Sequence, residues 1–315
     1  MSYRVSLRRI PAVLSVVVMA MAHHTARPDL DSSSVRPVVP GKLLLRAQSR
    51  IEVEPKSGLF DAVVRDQEWD VSETAIIVCD MWNDFYCKRA ALRFERMVPR
   101  LNATLNDARD LGVMVIHAPS GVVDFYREMP QRKRMLLNAP AASSNTLGWY
   151  HRDPAREPEL PLDVSKQTCD DPVIAPSVRV FSQQHPGIDI IGFDGISDSG
   201  QEIYNFCQQE GIKNLVIMGV HTNYCIVNRS FGIRQMVRVG MNVVLARDLT
   251  DALYDPRQSP NVSHARGTEI VVEHIEQYLS PSILSTDLTH VAPGSDGPVG
   301  KEPAENAKVR PVSDN

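Results

Sequence analysis

A three-layer α/β/α sandwich around a mainly parallel sheet is the fold the sequence predicts, and three observations carry the prediction. Apolar runs of four to six residues alternate with helix-compatible stretches, the pattern of repeated βαβ units. The strongest runs are aliphatic or β-branched along their whole length, as strands covered on both faces are. The chain has 315 residues, 43% hydrophobic and 23% charged, enough to bury a substantial core.

The predicted strands are Thr74 to Cys79, Val113 to His117, Leu215 to Met218 and Val243 to Ala246. Between the first two, Arg93 to Asp110 places Met97, Leu101 and Leu105 at helical spacing, and Gly112 follows as a stop. Glu202 to Gln209 is a second helix, ended near Gly211. Tyr224 to Arg238 is a third, with Ile226, Ile233 and Val237 on one face. Open sheets of this kind bind ligands beyond the carboxyl ends of their strands, which singles out Asp80, Pro119, Gly219 and Asp248 as the exits.

The ends read differently. Arg4, Arg8 and Arg9 precede an apolar run from Ile10 to Ala22 that closes on Ala20-Met21-Ala22, so residues 1–22 are expected to be a secretory signal peptide. Export or a periplasmic location follows, the alternative being a misassigned start on a cytoplasmic protein. Residues 23–50 are expected to be a linker, 51–284 the domain, and 285–315 a disordered tail of turn formers. Within the domain, about 121–182 lacks periodicity and is expected to be an insertion or cap, with Phe125, Tyr126, Trp149 and Tyr150 either shaping a pocket or packing the insertion down.

Charge and cysteine usage exclude several classes. A net charge of -4 without a basic run leaves no footprint for a phosphate backbone, so nucleic acid is not an expected partner. Five cysteines, Cys79, Cys87, Cys169, Cys207 and Cys225, are too few for a disulfide scaffold, and the odd number leaves at least one thiol free. With no CxxC, no HExxH and only scattered histidines, no metal is expected. No GxGxxG opens a helix, so a dinucleotide cofactor is not expected either.

Two segments carry the chemistry. In Leu215-Val-Ile-Met-Gly-Val-His-Thr-Asn-Tyr-Cys225 a buried strand runs into a polar turn, and Cys225 opens a helix. Helix N-termini favour thiolate and can hold an oxyanion. The competing reading is a small buried hydrophobe. In Thr74-Ala-Ile-Ile-Val-Cys-Asp80-Met-Trp-Asn-Asp84 a strand ends on a carboxylate at the same sheet edge, which is either a general base or a turn-capping aspartate. Cys87 is read as a packed helix residue or a lining of the same cavity.

In this order the two segments resemble the isochorismatase-like cysteine hydrolases, which include nicotinamidases and related amidohydrolases, over about Thr74 to Tyr278. The resemblance implies Cys225 as nucleophile and Asp80 as base, with no cofactor, on a small amide or related carbonyl compound. It also implies a cis peptide between Val220 and His221, and makes Val220, His221, Tyr224 and Asp84 the candidate substrate-binding or oxyanion residues. Homo-oligomerisation is implied by the resemblance alone. The sequence departs from the family at its lysine, which should end the strand before Glu202, near Gly192; no Lys lies between Lys166 and Lys213. Lys166, Arg179 or Arg234 are the cations that could enter from elsewhere, while Asp198, Glu202 and His185 offer other chemistry. Two rival functions remain at this stage. One is a non-catalytic binding module on the same fold; the other is a Mg-dependent phosphatase of the haloacid dehalogenase type using Asp80, which the absence of an Asp-x-Asp start disfavours.

Overall fold

The computed structural model describes residues 36, 40–137, 147–162, 164–165 and 168–289. The segment 1–22, most of the linker and residues 290–315 lie outside them. Among the described residues no helix is long and apolar enough to cross a membrane.

Eight strands form one sheet: β1 (Lys42–Glu52), β2 (Phe60–Asp70), β3 (Thr74–Cys79), β4 (Met114–Ala118), β5 (Gly195–Ile196), β6 (Asn214–Val220), β7 (Asn242–Asp251) and β8 (Ser282–Ile283). Their spatial order is β2-β1-β8-β7-β6-β3-β4-β5. From β8 to β5 every neighbouring pair is parallel. Every residue of β3, β4 and β6 is buried, as strands sandwiched on both faces must be.

The antiparallel β1–β2 hairpin obeys a different rule. Leu43, Leu45 and Ala47 are buried while Leu44 and Arg46 are exposed, the period-two pattern of a sheet with one dry face. The sheet therefore begins at Lys42, and residues 42–50 belong to it rather than to a linker. The hairpin escaped the sequence reading because β2 buries only Trp69 and has no apolar run longer than Ala62–Val64. At the other end, a 3-10 turn at Ser285–Thr289 buries Ser285 and Leu288, and Asp248 accepts the Ser285 N–H at 2.8 Å. The tail thus starts later than residue 285.

Six helices complete the fold: α1 (Lys88–Asp110), α2 (Pro130–Leu136), α3 (Gly200–Glu210), α4 (Cys225–Asn228), α5 (Ile233–Arg238) and α6 (His264–Tyr278). The apolar stripe of α1, including Phe94, Val98, Leu101 and Leu105, is buried, and Gly112 turns the chain at φ 88°. The helix starts five residues before Arg93 because its first N–H groups find a distant cap: Asp171 accepts from Lys88 at 2.8 Å and Arg89 at 2.9 Å. Ser199 caps α3 by accepting the Glu202 N–H, and Gly211 ends it at φ 70°.

The stretch Tyr224 to Arg238 is two short helices rather than one. The chain turns out at Arg229 and re-enters at Gly232, leaving Val237 more than a third exposed. This break lets α3 approach: a Cβ at Gly200 would lie 1.9 Å from the Ser230 carbonyl oxygen, and the Gly200 N–H donates to Ser230 Oγ at 2.8 Å. The insertion read at 121–182 is part of a longer β4–β5 crossover, 119–194, that contains a 3-10 turn at Val123–Tyr126 and α2.

The order in which strands are added reverses at β3. The chain passes from β3 to β4 on one side and later returns to β6 on the other, so the crevice lies where β3 and β6 end.

Candidate active site

Asp80 follows the last residue of β3. Its N–H still pairs with the Ala118 carbonyl at 3.1 Å, and its backbone sits at φ 50°, rare for a residue with a side chain. That conformation buries the carboxylate completely beneath the sheet edge. Oδ1 accepts the Ser120 N–H at 2.8 Å. Oδ2 accepts from Arg229 Nε at 3.0 Å and pairs with Nη2 at 3.0 Å.

Cys225 reaches the same point from β6. Gly219 is indispensable for this approach: at φ 108° a Cβ would stand 2.1 Å from the Cys79 carbonyl oxygen. The Val220–His221 peptide is cis. The His221 carbonyl then accepts the N–H groups of Tyr224 at 3.0 Å and Ile226 at 3.2 Å, closing a tight turn that presents Cys225 at the start of α4. The thiol is 2% exposed. The Asp80 carboxylate and the His221 backbone amide lie close enough to act on it.

Burial pushes the Cys225 thiol well up, and Asp80 pushes it the same way; Arg229 and the His221 amide pull it down without reversing the sum. The resting pair is therefore a neutral thiol beside a carboxylate.

Arg229 is the cation of this site. It follows α4 directly, four residues after Cys225, and its side chain is 28% exposed. The Trp149 ring lies 5.5 Å from its guanidinium, and Trp149 in turn packs on Tyr224 at 4.9 Å. The Tyr150 N–H donates to the Asn228 carbonyl at 2.8 Å, so the crossover holds this end of α4 in place. The sequence reading passed over Arg229. The usable signal was its i+4 spacing from Cys225, which puts two residues on one face if a helix begins at the cysteine.

The lysine search fails for a structural reason. The strand before α3 is β5, so its exit is Ser197–Asp198 and not Gly192, which turns at φ 53° earlier in the chain. Arg234 is buried against Glu157 at 2.7 Å, away from Cys225, and Lys166 lies outside the described residues. Arg179 does line the cavity that contains Cys225.

The other expected residues separate. His221 is buried against Phe85 at 4.9 Å and Phe94 at 5.2 Å, and burial holds its imidazole down to about 3 against the pull of Asp251, so it is neutral. Tyr224, two-fifths exposed, lines the cavity with it. Val220 contributes backbone only, its carbonyl accepting from the Cys79 thiol at 3.4 Å. Asp84 does not join the site: it pairs with Lys88 at 2.6 Å in a separate depression that also holds His185. A residue four positions past a strand exit had left the edge and joined the approach to α1. Asp198 accepts from the Gly121 N–H, Glu202 from Arg132 and Ser197, and none of these touches Cys225. His117 is buried between Asp194 at 3.0 Å and Gln184 at 3.1 Å, in a network completed by Arg109.

Cys87 is bonded to Cys169 in a disulfide, with Asp171 close by. The two sulfurs, joined to one another, offer neither a thiolate ligand nor a nucleophile. What the bond does is tether to α1 the segment after Cys169, which supplies Ile174 to Phe181 to the cavity wall.

That cavity measures about 900 Å³ and is lined by aromatic and aliphatic side chains around Cys225 and Arg229. A thiol beside a buried carboxylate thus stands at the switch point of the parallel sheet. The isochorismatase domain family matches residues 74–277, and the chain belongs to that family. No curated protein matches it. Among solved structures it is similar to a cysteine hydrolase from Pseudomonas syringae pv. phaseolicola, at 16% identity over 69% of this chain and 91% of that one, TM-score 0.42. An isochorismatase from Pseudomonas putida KT2440 matches at 13% identity over 69% and 90%, TM-score 0.42. An isochorismatase-like hydrolase from Alkaliphilus metalliredigens matches at 17% over 68% and 94%, TM-score 0.39.

Proposed function

We propose that the protein is a cysteine hydrolase acting on a small amide or related carbonyl compound, with Cys225 as nucleophile and Asp80 as base. The observation that carries the reading is the placement of the buried Asp80 carboxylate beside the Cys225 thiol, which lines the cavity. As Sγ forms its bond to the substrate carbonyl carbon, the thiol proton passes to Asp80. The tetrahedral oxyanion meets backbone N–H groups at the start of α4. Asp80 then returns the proton to the leaving nitrogen as the carbon–nitrogen bond breaks, leaving a thioester. Water, deprotonated by Asp80, attacks that thioester; the carboxylic acid departs and the thiol is restored.

Because the thiol starts neutral, proton transfer must accompany attack. Arg229 acts as a positioning residue: it holds Asp80 Oδ2 and leaves Oδ1 fixed by Ser120. It also supplies the positive charge that the family's lysine provides elsewhere.

The test is site-resolved iodoacetamide labelling against pH in wild type and Asp80→Asn, followed by an amide-hydrolysis screen. Labelling of Cys225 in the folded protein that depends on Asp80, together with turnover lost in Cys225→Ser, supports the reading. A Cys225 that stays inert while the screen finds ligands but no products would replace it with the binding-module reading.

A further inference from the structure

The cavity wall has a charge pattern that the hydrolytic reaction does not use. Among the described residues that line it, none is acidic and two are arginines, Arg179 and Arg229. His221 adds no charge, being neutral. Arg229 is committed to Asp80. Arg179 is exposed, and among the described residues no carboxylate pairs with it; its guanidinium lies 5.5 Å from the Phe181 ring, which stacks on Trp82 at 4.3 Å.

From this we infer that the substrate carries a carboxylate remote from its scissile carbonyl, and that Arg179 is the specificity-determining residue that binds it. The inference rests on the cysteine-hydrolase reading for the word substrate, but the anion site stands on the wall itself. A guanidinium presents a planar fork of donors that matches a carboxylate. Resting against the aromatic pair restricts its rotamers, so less freedom is lost when an anion docks. Apolar side chains on the wall, among them Phe85, Ile174 and Leu253, suit the hydrocarbon or aromatic body between the two ends. A purely neutral amide would leave Arg179 without a partner.

The experiment measures protection of Cys225 from iodoacetamide by 3-phenylpropionate and by 3-phenylpropanol, which share a body and differ in charge. In wild type the acid is expected to protect at about tenfold lower concentration, the scale of one charge-assisted interaction at a partly exposed site. In Arg179→Gln the two should protect alike, while Arg179→Lys keeps part of the preference. Equal protection in wild type overturns the inference, and so does a preference for the acid that survives Arg179→Gln. If Cys225 resists iodoacetamide altogether, the hydrolase reading fails instead. Calorimetric titration of 3-phenylpropionate into wild type and Arg179→Gln then decides the anion site without the thiol: tighter binding to wild type upholds it, and equal binding overturns it.

Discussion

Replacing Arg229 with alanine tests whether the guanidinium that follows α4 supplies the positive charge beside Asp80 and Cys225. The Asp80 carboxylate is fully buried, and both of its contacts with Arg229 converge on Oδ2 at 3.0 Å, leaving only the Ser120 N–H on Oδ1. Removing one member of a buried pair costs about 3–5 kcal/mol, because the other charge stays behind unpartnered. Arg229 is 28% exposed, so water offsets part of that loss. The expected destabilisation is roughly 2–4 kcal/mol. Urea unfolding of Arg229→Ala, Asp80→Asn and the double variant would measure it, and the cycle should return a coupling of about 2 kcal/mol. Labelling provides the second readout. Loss of the cation removes a pull that lowers the Cys225 thiol, so the variant should alkylate more slowly, about tenfold for each ~1.4 kcal/mol of lost thiolate stabilisation. Arg229→Lys should recover part of both effects. An Arg229→Ala protein as stable as wild type to within ~0.5 kcal/mol, with unchanged Cys225 labelling, would refute the reasoning.

Stability should fall at both ends of the pH scale. Burial raises the thiols of Cys79, Cys207 and Cys225, so above the unfolded thiol value the unfolded chain alone releases protons. Denaturation midpoints should then drop above about pH 8.5, by up to ~4 kcal/mol per pH unit for three thiols, and Cys207→Ala should flatten the slope. His221, held down to about 3, makes the unfolded chain the better proton acceptor below about pH 6.5, so stability declines there and His221→Phe should shallow the acid limb. Gly219→Ala forces a Cβ onto the Cys79 carbonyl at positive φ, and should cost more than ~3 kcal/mol or prevent folding, as soluble yield and thermal melting would show. The disulfide closes a separation of 82 residues. Reductant or Cys169→Ser should therefore lower stability by about 4 kcal/mol in urea; an unreduced, denatured sample should carry three alkylatable thiols, and unchanged stability on reduction would remove the tether from the account.

The sequence alone determined the centre of this protein. β3, β4 and β6 are legible because strands buried on both faces must be apolar throughout, and Asp80 and Cys225 are legible because one directly follows such a strand and the other opens the helix after the next turn, both at the sheet edge where ligands bind. Local chemistry also wrote the stops at Gly112 and Gly211. Tertiary structure decided what depends on groups far apart in the chain. The start of α1 is set by Asp171, more than eighty residues away, and β2 is a strand through its pairing with β1 although it buries only one residue. The split of α4 from α5 follows from the approach of Gly200 to Ser230, a steric demand that helical periodicity does not encode. The exclusion of Asp84 and the entry of Arg229 have the same origin. Side-chain direction at a strand exit is fixed by the turn that follows it, and the charge of Arg229 reaches Asp80 only because α4 ends where it does. Periodicity reports which residues must be dry, while the geometry of turns and distant caps determines which polar groups meet.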